Sequence, residues 1–165
     1  LARQCRAALI LENLTNSENV GAAFRTLAAL AGVPQPGQPS PTAVFLSPGC
    51  CDPLYRKSIR VSMGLALHIP YARLEPWPQA LSTLTAAGLT TIALTPDPAA
   101  ADITTLTPPL RIALLLGAEG PGLTAAAMAG ATLRVRIPID PAADSLNVNT
   151  AAAIALHRLA RPPSH

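Results

Sequence analysis

The sequence predicts an α/β protein built on a mostly parallel β-sheet with helices on both faces. Short apolar runs alternate with stretches of helical periodicity along nearly the whole chain, the pattern of strand and crossover helix in turn. Polar or glycine-rich turns stand where two of these runs end, at ENLTNSEN (12–19) and GAEGPG (117–122). The run IALLL (112–116) is apolar at every position.

The first strand is expected at AALILEN (7–13). SENVGAAFRTLAALAG (17–32) reads as a helix, because Val20, Phe24, Leu27 and Ala31 recur at helical spacing, with Ser17 as its N-cap. A proline-rich loop, GVPQPGQPSP (32–41), passes directly into the strand TAVFLS (42–47), and DPLYRKSIRVSMG (52–64) has a helical pattern. HIPYARL (68–74) continues the alternation, a helix is expected near PWPQALSTLTAAG (76–88), and TTIALT (90–95) reads as a strand. The longer loop TPDPAAADITTLTPP (95–109) is expected to hold a helical turn. Strand RIALLLG (111–117), a short helix after GPGL (120–123), strand LRVRIPI (133–139) and a final helix LNVNTAAAIALHRLA (146–160) complete the pattern, and RPPSH (161–165) is expected to fray. Neither proline-rich loop resembles an interdomain linker, since a strand follows each at once, so residues 1–165 read as one domain.

A chain of 165 residues can bury a full core without metal or disulfide staples. Hydrophobic residues make up 50% and charged residues only 13%, so much of the surface must be neutral or covered by protein, which points to a homo-oligomer. No apolar run reaches the roughly 18 residues that cross a bilayer, and no charged leader with a cleavage site opens the chain, so it reads as cytoplasmic with no membrane partner. Cys5, Cys50 and Cys51 make neither a disulfide framework nor a CxxC metal half-site and read as reduced thiols; nothing in the sequence suggests a metal. A net charge of +3, with Lys57 the only lysine, permits a nucleic-acid partner but barely argues for one.

Three stretches carry chemistry. In ENLTNSENVGAAFRTLAALAG, Gly21 and Arg25 are four apart and share a helical face, and the missing side chain at 21 is expected to leave open space beside the guanidinium. Asn19 stands in the first turn, as a cap or a polar site residue. In RIALLLGAEGPGL, Gly117, Gly120 and Gly122 surround a single acid, Glu119, at the carboxyl end of a strand, where open α/β sheets bind ligands. The loop lacks the GK[ST] of a P-loop, its glycines run GxxGxG where the dinucleotide fingerprint runs GxGxxG, and Glu119 would repel a phosphate. Asp140, some way further on, is thereby a weak ribose partner. A cationic, phosphate-free ligand such as S-adenosylmethionine suits the loop better. In VRIPIDPAADSLNVNTAAAIAL, Ser145, Leu146 and Asn147 are expected to open a helix, with Ser145 as a possible N-cap and Asn147 and Asn149 in its first turn. Asn is a poor helix former, so polar side chains held there beside backbone donors make a site able to orient a ligand.

Together and in this order, ENVGAAFRT, LLLGAEGPGL and IPIDPAADSLNVNTAAAIAL resemble the three signature motifs of the SpoU (TrmH-like) family of RNA 2′-O-methyltransferases, within the SPOUT superfamily. The likeness spans nearly the whole chain, and IRVSMGLALHIPY (59–71) is similar to the family's stretch between the first and second motifs. Ala118 stands where the family often has a polar residue, and Asn149 where it often has a small one. The resemblance implies a C-terminal trefoil knot, a homodimer with its site near the subunit interface, and S-adenosylmethionine held mainly by backbone of Leu116, Gly117, Ile137 and Leu146, with Glu119 and Gly120 of the same loop. The family's active residues map onto Asn19, Arg25, Glu119, Ser145 and Asn147.

The implied reaction is methylation of a ribose 2′-hydroxyl in tRNA or rRNA. Arg25 suits the role of electrostatic stabiliser and phosphate anchor better than that of a base, because a guanidinium resists deprotonation. Many family members carry a separate N-terminal RNA-recognition domain, and nothing before residue 7 is long enough to be one. Two other readings are a non-catalytic RNA-binding or assembly module that has kept the fold, and a SPOUT enzyme that methylates a base. Against the first stand an intact Arg25 and glycine loop; against the second stand Asn19 with Arg25 and the SLN run.

Overall fold

The computed structural model describes residues 1–140 and 142–160, so the tail expected to fray lies outside the described residues. Along the chain run β1 (Ala7–Leu11), α1 (Ser17–Ala31), β2 (Thr42–Leu46), α2 (Arg56–Val61), a 3-10 turn (Leu65–Leu67), β3 (Tyr71–Arg73) and α3 (Leu81–Ala86). Then follow β4 (Thr90–Leu94), β5 (Ala101–Asp102), β6 (Ile112–Leu116), α4 (Ala125–Gly130), β7 (Leu133–Arg136) and α5 (Val148–Leu159). The seven strands form one sheet in the order β3-β2-β1-β6-β4-β7-β5, and every pairing is parallel.

A parallel sheet with crossover helices is covered on both faces, and the strand residues divide accordingly. Leu9 and Leu11 of β1, Val44 and Leu46 of β2, and Ile112, Leu114 and Leu116 of β6 point to one core. Val20, Phe24 and Leu27 of α1 and Ala152, Leu156 and Leu159 of α5 close that core. Ala8, Ile10, Ala43, Phe45, Ala113 and Leu115 point the other way, under Leu81 and Leu84 of α3 and Ala127 of α4. The alternation of faces with period two is what sorts these residues. Phe24 also meets Tyr71 edge-on, with ring centroids 6.1 Å apart, which ties α1 to β3.

β1 and β6 are neighbours in register, yet the chain leaves β1 for α1 on one face and β6 for α4 on the other. Their carboxyl ends therefore flank the crevice where a doubly wound sheet takes its ligands.

Several elements are shorter than their sequence patterns suggest. The helix expected over 52–64 starts only at Arg56, because the Asp52 carboxylate accepts from the Leu54 amide (2.8 Å) and holds the chain in a turn. It stops at Val61 because Met63 and Gly64 both take positive φ, at 54° and 82°. Pro76 and Pro78 hold off the next helix, which starts at Leu81. No helix is assigned within 95–109; the turn expected there is present only as single hydrogen-bonded turns, at Asp97–Ala100 and Asp102–Thr105 (3.0 and 3.1 Å). Ala101–Asp102 pairs instead with β7 as an edge strand, and the Asp102 carboxylate then accepts from the Thr104 amide and hydroxyl (2.9 and 2.7 Å), closing a single turn.

Candidate functional site

The loops after β1, β6 and β7 all rise from the carboxyl edge, as parallel strands require. After β6 the chain doubles back sharply. Ala118 and Gly122 form an isolated bridge, with the Gly122 amide donating to the Ala118 carbonyl at 3.0 Å. A Cβ on Gly117 would stand 2.2 Å from the Gly122 carbonyl carbon, so no side chain fits there. Gly120 and Gly122 take positive φ, 86° and 68°, where glycine is favoured. Leu116 below the loop is buried, and Glu119 at its crest is exposed.

Glu119 connects this loop to α5. Its Oε1 accepts from Asn147 Nδ2 at 2.5 Å, and Asn147 Oδ1 in turn accepts from the Asn149 amide at 2.9 Å. Asn147, and not Ser145, is thus the N-cap of α5, which begins at Val148; Ser145 and Leu146 precede the helix and do not open it. The displacement has a simple cause: only at 147 does the side chain reach the amide two residues on. Asn149 Nδ2 then donates to the Asn19 carbonyl (3.2 Å) and to Asn19 Oδ1 (3.3 Å). Asn19, Asn149, Asn147 and Glu119 thereby form one polar chain across all three stretches that the sequence singles out. Asn149 Oδ1 is buried and has no partner among the described residues.

Arg25 stands apart from this chain. It is exposed on α1, with no hydrogen bond or ion pair among the described residues, about 9 Å along the helix axis from Asn19 at about 1.5 Å per residue. The expected open space beside it at Gly21 is not there. A Cβ at 21 would lie 2.5 Å from the Ser58 carbonyl oxygen and 2.9 Å from Ser58 Cα, so the glycine exists to let α2 approach α1. Ser58 Oγ donates to the Ser17 carbonyl at 2.8 Å, and Lys57 pairs with Glu18 at 3.1 Å on the surface, which holds α2 in place. The N-cap of α1 is Asn16, whose side chain accepts from the Glu18 amide, one residue before the expected Ser17. Arg56 and Arg60 of α2 are exposed, as Arg25 is.

Ser145 is exposed without a hydrogen bond among the described residues, while Ile137, just beyond β7, and Leu146 are half-buried. Two surface concavities lie elsewhere. One, of about 170 Å³, sits at the amino ends of β1 and β6 beside Arg6 and Leu110; the other lies over Leu30 and Ile154. Among the described residues, the carboxyl-edge site is marked by its polar chain and glycine loop.

The model of one protein family, described as the SpoU rRNA Methylase family, matches residues 6–157. The chain belongs to that family. An uncharacterized tRNA/rRNA methyltransferase of Mycobacterium tuberculosis is 45% identical over 163 residues, which is 97% of this chain and 54% of the relative. The solved structure of an RNA 2′-O ribose methyltransferase superposes with a TM-score of 0.75 at 28% identity, over 92% of this chain and 54% of the other. An AdoMet-bound rRNA methyltransferase from Sinorhizobium meliloti shares the fold with a TM-score of 0.78 at 24% identity, over 95% and 58% of the two chains. This chain spans about half the length of the curated relatives it matches.

Within this SpoU family chain, two side chains at the site have roles that the sequence pattern did not give. Asn149 is legible as a polar residue in the first turn of the last helix, but not as the link between α5 and α1. Glu12, which the sequence places where the first strand gives way to a polar turn, is the one charged residue among the fully buried side chains described. An acid directly after five apolar strand residues is the signal that could have marked it, since such a carboxylate is buried only where donors meet it.

Proposed function

We propose that this chain is an S-adenosylmethionine-dependent RNA methyltransferase that acts on a ribose 2′-hydroxyl of tRNA or rRNA. The observation that carries the reading is the polar chain Asn19–Asn149–Asn147–Glu119, which gathers all three stretches beside the glycine loop. Family membership and the 28% identical RNA 2′-O ribose methyltransferase support it. The residues present fit the cofactor. The loop offers backbone groups and one carboxylate with no phosphate fingerprint, and apolar Leu116, Ile137 and Leu146 lie at the same edge. Backbone of Leu116, Gly117, Ile137 and Leu146 would hold it, with Glu119 and Gly120 of the loop.

When bound, S-adenosylmethionine supplies an electrophilic methyl group on a sulfonium. The chain's own residues have to align a weak nucleophile and stabilise the charge left as its proton departs. Arg25, exposed and unpaired among the described residues, is free to take an RNA phosphate and to stabilise the developing alkoxide, while the hydroxyl proton leaves through water or a neighbouring group. Asn19, held by Asn149, orients the ribose, and Glu119, Ser145 and Asn147 order the loop and the start of α5.

In this proposal the chain works as a homodimer, and its C-terminal segment is threaded into the family's trefoil knot. The low charged fraction and the concavity lined by Leu30, Ala153, Ile154, His157 and Arg158 support self-association. The test is calorimetric titration with S-adenosylmethionine, followed by nucleoside mass spectrometry of treated tRNA and rRNA. Binding and a 2′-O-methylnucleoside are expected. Base-methylated nucleosides would remove the ribose assignment, and binding of NAD or ATP without S-adenosylmethionine would remove the whole reading.

A further inference from the structure

Glu12 follows β1 directly and continues its ladder, its amide donating to the Leu116 carbonyl at 2.8 Å. Its side chain turns to the face of α3 and α4 and is fully buried. Three donors converge on the carboxylate. The Thr124 amide reaches Oε2 at 2.8 Å, while the Thr124 hydroxyl and Trp77 Nε1 reach Oε1 at 2.8 and 2.7 Å. No arginine, lysine or histidine pairs with it among the described residues.

The placement of these partners matters more than their number. Leu116 is the last residue before the glycine loop, and Thr124 is the N-cap of α4, the first residue beyond Leu123. A single residue therefore holds both ends of the segment 117–123, one through its backbone and the other through its carboxylate. The Thr124 hydroxyl also accepts from the Ala127 amide at 3.2 Å, so the start of α4 hangs on the same node. A carboxylate with no opposite charge is costly to bury, and hydrophobic residues of similar size would cover the sheet at lower cost. Its presence is explained if the position of the loop, and not the core, is what it maintains.

We propose that Glu12 is a positioning residue for the cofactor: it clamps both ends of the 117–123 loop and sets the backbone that grips S-adenosylmethionine, without touching the ligand. The inference rests on the function proposed above for that loop, but the hold on the loop can be read without any ligand. Glu12→Gln keeps size and one acceptor oxygen but turns an amide group toward the Thr124 N–H or hydroxyl. Thr124→Val removes the hydroxyl and leaves the backbone contact.

In cofactor-free protein, amide hydrogen exchange at 117–124 is expected to quicken about tenfold in Glu12→Gln while the β1 and β6 amides stay protected, as loss of one buried hydrogen-bond partner implies. Titration of S-adenosylmethionine, followed by emission of Trp77, the only tryptophan, is expected to give a Kd raised about tenfold in Glu12→Gln and about threefold in Thr124→Val. Turnover at saturating cofactor and the KM for RNA should stay within about twofold of wild type, a split that a general loss of folding would not produce. Unchanged loop exchange, or unchanged cofactor affinity in both variants, would overturn the proposal. So would equal losses in kcat and in both KM values. If Glu12→Gln does not fold, Thr124→Val decides by the same readings. A wild type that binds no S-adenosylmethionine overturns the functional reading, and the exchange measurement still decides whether Glu12 holds the loop.

Discussion

Arg25 and Gly21 lie one helical turn apart on α1, and the structure assigns them opposite kinds of consequence. Arg25 is exposed and makes no bond among the described residues, so Arg25→Ala should leave the melting temperature within a degree or two, as substitutions at open surface sites do. It should also leave S-adenosylmethionine affinity intact, since the proposed cofactor contacts lie on the later loops. Methyl transfer should fall by about a hundredfold or more, the scale of losing one preorganised transition-state donor. Arg25→Lys should recover little, because a point charge does not reproduce the planar fork. Single-turnover methylation at saturating cofactor measures this; near-normal turnover in Arg25→Ala would remove Arg25 from the chemistry. Gly21→Ala is the converse case. Alanine gains about 1 kcal/mol of helix propensity, but its Cβ would meet Ser58 backbone at 2.5 Å, and backbone cannot rotate out of the way. Forcing α2 off α1 costs about 1–3 kcal/mol, a net loss of up to about 2 kcal/mol after the propensity gain, so the melting temperature should drop by up to several degrees. A melting temperature equal to wild type would mean that α2 yields freely.

Among the elements, β5 is the most marginal: two residues pair with β7 at the edge of the sheet, where the sequence suggests a loop with a helical turn. Asp102 makes the difference. Hydrogen bonds from the Thr104 amide and then its hydroxyl, with a smaller contribution from Arg136, hold its carboxyl below the ordinary aspartate value. Arg136 Nη2 lies 3.3 Å from Asp102 Oδ2. A depressed folded value means that the contribution is fully present above the unfolded value, about 3.9, and fades as pH falls through the lower folded one. Amide exchange at Ala101–Thr104 should accordingly quicken in strong acid relative to the central strands. In Asp102→Asn it should be fast already at neutral pH and lose that acid dependence. Equal protection of this edge in the variant and wild type at pH 7 would show that strand pairing alone suffices. The global melting temperature should hardly change, since the half-buried pair ties down only a two-residue strand at the edge of the sheet.

At the scale of the whole molecule, the outer face of α5 tests the proposed homodimer. Ile154 is 39% exposed beside Leu30, Ala153, His157 and Arg158, a mixed apolar and basic concavity on a chain with only 13% charged residues. Light scattering at tens of micromolar should give twice the chain mass. Ile154→Glu should shift the population to monomer while keeping the circular dichroism of the fold. A wild-type monomer at that concentration would overturn the dimer, and a dimer that tolerates the glutamate would move its interface elsewhere.

The sequence by itself determined what is local and periodic. The continuous apolar runs of β1, β2 and β6 mark buried strands, and the 3.6-residue recurrence of Val20, Phe24, Leu27 and Ala31 defines α1, because both signals lie within one element. The glycine loop and the order of the three stretches were legible for the same reason. The tertiary structure alone decided which polar side chains meet. Asn149 and Asn19 are 130 residues apart, and Glu12 and Thr124 are 112 apart, so neither contact leaves a local trace. It also decided what Gly21 is for, since a missing side chain looks the same whether it leaves room for a ligand or lets a neighbouring helix come close. Periodicity records which face of an element is buried; it does not record the partner, because the partner is supplied by a distant part of the chain that folding brings back.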